Sequence, residues 1–318
     1  MNARLNAPRM LGLLLLLSLT AISEASAQLA PSTQVAARMV VTAVASKGSD
    51  VPTISRDDVM VREGKDRDNV LDWVAATGDR AGLEFFLMID DSAGDNVGSQ
   101  LDDMRKFILA QPATTKVGVA YMQNGTAQVL QDPTIDHQQA AKKLRLPTGI
   151  PGVNASPYFS LSDLIKRWPS SPNRREVLMI TSGVDSYWSD GPQDPYVDSA
   201  ISDAQRAGVI VFSIYNPGAG HFGQSYYRGW YGQLFLSELS ERTGGESYYS
   251  NFSGPAVSFS PYLNKLADRL LHQYWLAFAP KPRKKDGLQP VKVMTEVPNA
   301  ELVAADRVWV PATPGAAE

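Results

Sequence analysis

The 318-residue chain contains no cysteine. That absence excludes disulfides, thiolate zinc sites, iron–sulfur clusters and cysteine nucleophiles together. Histidine is nearly as scarce, with three residues, and His137, His221 and His272 have no acidic neighbours in a triad order. Each reads as a surface or helix-end residue rather than a catalyst. An excess of basic charge is also missing: 30 lysines and arginines stand against 33 acids, for a net charge of -3, which excludes a basic nucleic-acid footprint. Ser182, within ITSGV, lacks the first glycine of a hydrolase nucleophile elbow. No glycine loop cradles a phosphate either, since Gly244-Gly245 runs into Glu246 and a strand and reads as a helix stop. The adjacent acids Asp57-Asp58 and Asp102-Asp103 point apart, as solvated charge does, and Arg283-Lys284-Lys285 reads as a hairpin turn.

What is present is the balance of an ordinary globular chain, 44% hydrophobic and 20% charged, with length for about two domains. Arg4 and Arg9 precede an apolar stretch from Leu11 to Ile22, and Ala25-Ser26-Ala27 follows. This predicts a secretory leader cleaved after Ala27. The stretch falls short of the roughly 18 to 20 residues of a spanning helix, and no later run approaches that length. The expectation is a periplasmic or secreted protein, soluble after cleavage, with no transmembrane helix in the mature chain. Export without cysteine points to a bacterial envelope.

Hydrophobic periodicity divides the remainder. Residues 28–80 read as a β-rich segment, with extended character over Val35 to Ser46, Val59 to Val61 and Val70 to Val74. From 81 to 272 strands and helices alternate: strands at Leu83 to Ile89, Val117 to Met122, Val177 to Thr181, Val209 to Ile214 and Ser247 to Tyr249. A pairing run lies at Ala127 to Leu130, and helices at Leu101 to Ile108, His137 to Leu144, Leu161 to Trp168, Val197 to Ala207, Gln233 to Thr243 and Pro261 to His272. That alternation predicts an α/β fold with a doubly wound, mostly parallel sheet flanked by helices. Residues 273–312 return to strand period, at Gln273 to Phe278, Val291 to Val297 and Val308 to Val310, and 313–318 form a tail. The β elements at the two ends are expected to pair as one accessory sheet.

LEFFLMIDDSAG and VLMITSGVDS occupy the places of the aspartate-x-serine-x-serine loop and the threonine/serine-aspartate-glycine turn of von Willebrand factor type A domains. With ISRDDVMVREG ahead of them, and RAGVIVFSIY, LSERTGGESYY and HQYWLAFAPKPRKKDGLQPVKV behind, the chain resembles bacterial exported proteins related to that family. The resemblance implies a divalent cation, Mg²⁺ or Mn²⁺, at the C-terminal edge of the sheet. Carried over residue by residue, its ligands fall on Asp90, Ser92, Ser156 and Ser182. Gly94 stands where the third ligand of the first loop belongs, and Ser182 where a carboxylate belongs, so the expected site is degenerate and any cofactor weakly held. Asp91, Asp95 and Asp185 lie close enough in sequence to compensate.

A second feature of that edge is aromatic. Residues 215–231 form a long stretch without periodicity, rich in glycine and aromatics. Tyr187, Trp188, His221, Phe222, Tyr226, Tyr227 and Trp230 are the expected partner-binding residues, for a protein or glycan in the envelope or outside the cell. The expected function is non-catalytic binding or adhesion. A structural scaffold or self-associating envelope protein is the alternative, and a hydrolase ranks third.

Overall fold

The structure is a computed structural model that describes residues 35–93, 95–150, 155–189, 191–217, 226–249 and 258–313, with Asp95, Asn96 and Tyr226 described by backbone alone. The expected leader lies outside these residues. The strands are β1 (Ala37–Ala45), β2 (Val59–Glu63), β3 (Asp66–Ala75), β4 (Leu83–Asp90), β5 (Thr115–Gln123), β6 (Thr126–Thr134), β7 (Arg174–Thr181), β8 (Val209–Tyr215), β9 (Ser247–Tyr249), β10 (Gln273–Ala279), β11 (Gly287–Pro290), β12 (Lys292–Thr295), β13 (Ala300–Ala304) and β14 (Arg307–Val310). The helices are α1 (Leu101–Leu109), α2 (His137–Lys142), α3 (Pro157–Arg167), α4 (Pro195–Ala207), α5 (Tyr226–Thr243) and α6 (Ser260–Leu271).

The run LEFFLMID is buried at every position because β4 lies at the centre of a sheet covered on both faces. Its order is β6-β5-β4-β7-β8-β9, parallel throughout except for the antiparallel edge strand β6. Alternate residues of β4 enter two cores. Phe85, Leu87 and Ile89 meet Met104 and Ile108 of α1 and Leu263 and Leu266 of α6. Phe86 and Met88 meet Leu161 of α3, Ile201 of α4 and Phe235 of α5. The doubly wound layer expected from the alternating pattern is therefore present.

The terminal β elements form more than an accessory pair. Six antiparallel strands in the order β12-β2-β3-β10-β1-β13 make a second, nearly closed sheet, and β11 pairs with β14 beside it. β1, from the first part of the chain, is held between β10 and β13 from the last. This sheet has its own core of Val41, Val61, Trp73, Leu276, Phe278 and Val293 among others. The sequence pattern did not reveal β13, whose five residues AELVA alternate only weakly between exposed and buried.

Candidate functional site

β4 ends in Asp90 and the adjacent β7 in Thr181, at the point where the strand order reverses direction. Open α/β sheets hold ligands outside the carboxyl ends of strands at such a point. Asp90 is 2% exposed. Its Oδ1 accepts the Ser92 backbone N–H at 2.9 Å and the Ser92 hydroxyl at 2.6 Å, and its Oδ2 accepts the Thr181 hydroxyl at 2.7 Å. Burial pushes the Asp90 carboxyl above its ordinary range, and these hydrogen bonds oppose that push without reversing it.

Asp91 faces the other way. It accepts Arg145 Nη1 at 2.6 Å, the Thr148 N–H at 3.0 Å and the Thr148 hydroxyl at 3.2 Å. Burial alone would raise its carboxyl, but the Arg145 and Thr148 hydrogen bonds and the Arg145 charge outweigh it and hold Asp91 below the usual range. The Arg145 guanidinium is itself fixed 4.0 Å above the Tyr121 ring.

A cleft of about 160 Å³ opens here, lined by Asp90, Asp91, Ser92, Gln123, Gly149 and Ala155 among others. Of the four metal candidates, Asp90 and Ser92 meet in it. Ser156 instead donates its hydroxyl to Asp185 Oδ2 at 2.7 Å, and Asp185 Oδ1 accepts the Tyr187 N–H at 2.8 Å. Ser182 is buried, with its Oγ accepting the Val184 N–H at 3.4 Å. Burial raises Asp185 against those hydrogen bonds. It also raises Asp194, the N-cap of α4, to about 6, although Asp194 accepts the Tyr196 N–H.

Gly94 and the side chain of Asp95 lie outside the described residues. With Asp91 neutralised by Arg145, the described cleft offers one carboxylate, a hydroxyl that already donates to it, and the amide groups of Gln123 and Asn124. Magnesium wants six oxygens in near-octahedral order, and among the described residues no group of three acids or histidines gathers to hold a metal. Among the described residues the donor set falls short of what a divalent cation needs. Thr181 and Arg145 shape this cleft and escaped sequence reasoning, and Ala155 lines it where the neighbouring Ser156 was expected. Thr181 alone carried a usable signal, as a hydroxyl at the end of an apolar strand.

The aromatic residues of the same edge form two clusters. Phe159 packs on Tyr187 and Tyr196, with ring centroids 6.3 and 4.5 Å away. Trp188 stacks beside Tyr227 at 6.3 Å, and Tyr231 joins Tyr227, Trp230 and Phe235. Tyr187, Trp230, Tyr227 and Phe159 are 60%, 54%, 48% and 42% exposed, whereas Trp188 is 3% exposed and packs within the second cluster. Trp188 therefore supports that cluster from the core rather than presenting itself to a partner. Residues 227–231 belong to the first turns of α5, which starts seven residues earlier than its sequence pattern predicted. Gly229 and Gly232 interrupt that pattern, and the packing of Tyr227, Tyr231 and Phe235 on Trp188 supplies what local propensity lacks. His221, Phe222 and the Tyr226 side chain lie outside the described residues.

No family model matches the chain, and no curated protein matches it in sequence. Solved structures similar to it include an aerotolerance-related membrane protein from Bacteroides fragilis NCTC 9343, at 14% identity and TM-score 0.43, covering 59% of this chain and 98% of that one. Another is the vWF domain of the type V pili tip protein Mfa5 from Porphyromonas gingivalis, at 10% identity and TM-score 0.42, covering 58% and 95%. The ArnB paralog VWA2 from Sulfolobus acidocaldarius, at 11% identity and TM-score 0.40, covers 87% and 76%. At these values the likeness is one of outline, and the assignment stands on the chain's own geometry. A central strand ending in Asp90-x-Ser92 at the switch point, an antiparallel edge strand and helices on both faces give this chain a von Willebrand factor A-like fold.

Proposed function

We propose that the protein is a non-catalytic binding module of the cell envelope or exterior, taking a protein or glycan partner on the aromatic face at the C-terminal edge of its parallel sheet. The observation that supports this reading is the exposure of Tyr187 and Phe159 in one aromatic cluster and of Tyr227 and Trp230 in a second, which packs on the buried Trp188. Rigid aromatic rings offer contact area at small entropy cost and dominate interface hot spots. The leader expected over residues 1–27 supports the location.

The neighbouring acids support a metal-independent mode. Asp90 and Asp185 have their oxygens engaged by the protein's own hydroxyls and N–H groups. Candidate catalytic groups are likewise engaged elsewhere, with His137 and His272 bonded to the carbonyls of Thr115 and Asp268. The test is a glycan array and affinity capture from envelope extract, run with the wild type and with Tyr187→Ala/Trp230→Ala, with and without a chelator. Binding that is lost in the double variant and indifferent to the chelator is the expected result. Binding that survives the double variant, or that disappears with the chelator, sinks the reading. A mass that grows with concentration in sedimentation would favour the self-associating scaffold.

A further inference from the structure

At the end of the parallel sheet opposite the Asp90 cleft, a second cleft of about 410 Å³ opens where the first residues of β7 and β8 meet β1, β10 and β14. Arg38, Arg174, Arg175, Arg206 and Arg307 line it together with Trp275 and Trp309, and no aspartate or glutamate does. This gathering occurs in a chain whose acids outnumber its bases. Of the acids that lie near, Glu176 is fully buried behind the wall, where its carboxyl is raised by burial and acts on Arg174 alone among the arginines, and the others are engaged by other groups. Glu84 accepts from Trp168, Ser171 and Asn173. Asp306 pairs with Arg242, and Asp72 with Arg80.

Arg174 is built into the wall. It is 5% exposed, its Nη1 donates to the Leu270 carbonyl and its Nη2 to the Ala81 carbonyl, each at 2.9 Å, and its Nε–H has no partner. Arg175 donates to the Ala207 carbonyl. The guanidinium of Arg206 stands 5.2 Å from the Trp309 ring. Arg38, Arg206 and Arg307 are exposed at the mouth, and among the described residues none of the three forms an ion pair.

Guanidinium forks match phosphate oxygens two at a time, and like charges focused in a low-dielectric cleft raise the local concentration of anions. The half-buried indoles of Trp275 and Trp309 add apolar faces beside the charge. The volume is that of a small-ligand site. A nucleic acid strand is disfavoured, because the chain as a whole is acidic.

We propose that this cleft is a second binding site, for a small organic phosphate whose phosphate group is gripped by the arginines and whose ring lies against Trp275 and Trp309. It goes beyond the aromatic face, shares no residue with it, and stands whether or not that face binds a partner.

The test is calorimetric titration of the protein, with tryptophan emission recorded alongside, using inorganic pyrophosphate, glucose 1-phosphate and vesicles containing phosphatidylglycerol. The expected result is saturable binding of both phosphates, a change in emission with glucose 1-phosphate, and no binding of vesicles. Arg206→Ala/Arg307→Ala, which alters exposed side chains only, is expected to weaken both phosphates by at least about tenfold, and so is Arg307→Glu alone. Arg56→Ala, outside the cleft, is expected to change nothing. Absence of binding up to about 1 mM of either phosphate, or unchanged affinity in both arginine variants, overturns the proposal. Binding to vesicles alone overturns the small-molecule occupant.

Discussion

Glu176 carries an ionisable group into the middle of the fold. It is fully buried, neither carboxylate oxygen has a hydrogen-bond partner, and burial pushes the carboxyl up to about 7 against the opposing charge of Arg174. A folded-state value raised above the unfolded one means that the native state keeps a proton the unfolded state releases. The stabilising contribution is complete below about 4.5 and is lost as pH rises toward 7. Glu176→Gln is expected to flatten that dependence and to be more stable than wild type at pH 8, by about 2 to 3 kcal/mol. Urea unfolding at pH 5, 6, 7 and 8 measures the difference, and parallel curves for the two proteins would refute the assignment. Asp68 and Asp194, each raised to about 6, are common to both proteins and cancel in the comparison.

The Asp90 cleft invites a complementary residue-scale experiment. Ala155→Thr with Ser182→Asp restores one hydroxyl and one carboxylate to loops that border Asp90. Wild type is expected to give no heat with Mg²⁺ up to about 1 mM, and the double variant to gain at least about tenfold in affinity. Micromolar binding by the wild type would show the donor count to be wrong. Asp90 and Ser92 were legible because a buried strand running into Asp-Asp-Ser is a local pattern. Arg145 was not, because its link to Asp91 spans 54 residues and no periodicity marks it.

Among the elements, α5 and the loop after β7 meet through two glycines. Gly183 has φ +68°, and a Cβ there would come within 2.4 Å of the Gly232 carbonyl oxygen. A Cβ on Gly232 would come within 2.2 Å of the Ser182 carbonyl oxygen. Both obstacles are backbone and cannot swing aside, so this approach seats the aromatic turns of α5 against the sheet edge. Gly232→Ala is expected to lower stability by about 2 to 3 kcal/mol, read by thermal melting, and to disturb the exposed aromatics, read by a shift in Trp230 emission. A melting point within a degree of wild type would mean that the helix slides at no cost. The early start of α5 escaped the sequence for this same reason, since the glycines that permit the contact also erase the helical period. The central strands were read correctly because burial on both faces leaves an unbroken apolar run, whereas β13 is half-exposed and offers no such run.

For the whole molecule, the two sheets are joined by polar contacts rather than by chain alone. Arg174 of β7 donates to Gln273 of β10, and Gln273 donates to Thr42 of β1 at 3.3 Å. Denaturant unfolding is therefore expected to be one cooperative transition, with Trp73 and Trp275 in the antiparallel sheet reporting the same midpoint as Trp168 and Trp188 against the parallel one. Two separated midpoints would show that the sheets unfold independently. The pairing of the terminal β segments was legible from their shared period. The arginine cleft was not, because its residues come from stretches as distant as 38, 174, 206 and 307, and only the fold brings them together.

The position of β1 between β10 and β13 also sets an order in time. Thr42 meets a partner 231 residues later in the chain, so a polypeptide emerging from its amino end must release nearly all of its length before β1 finds either neighbour. During synthesis or passage through a narrow channel, the first sheet begun is the last to be finished.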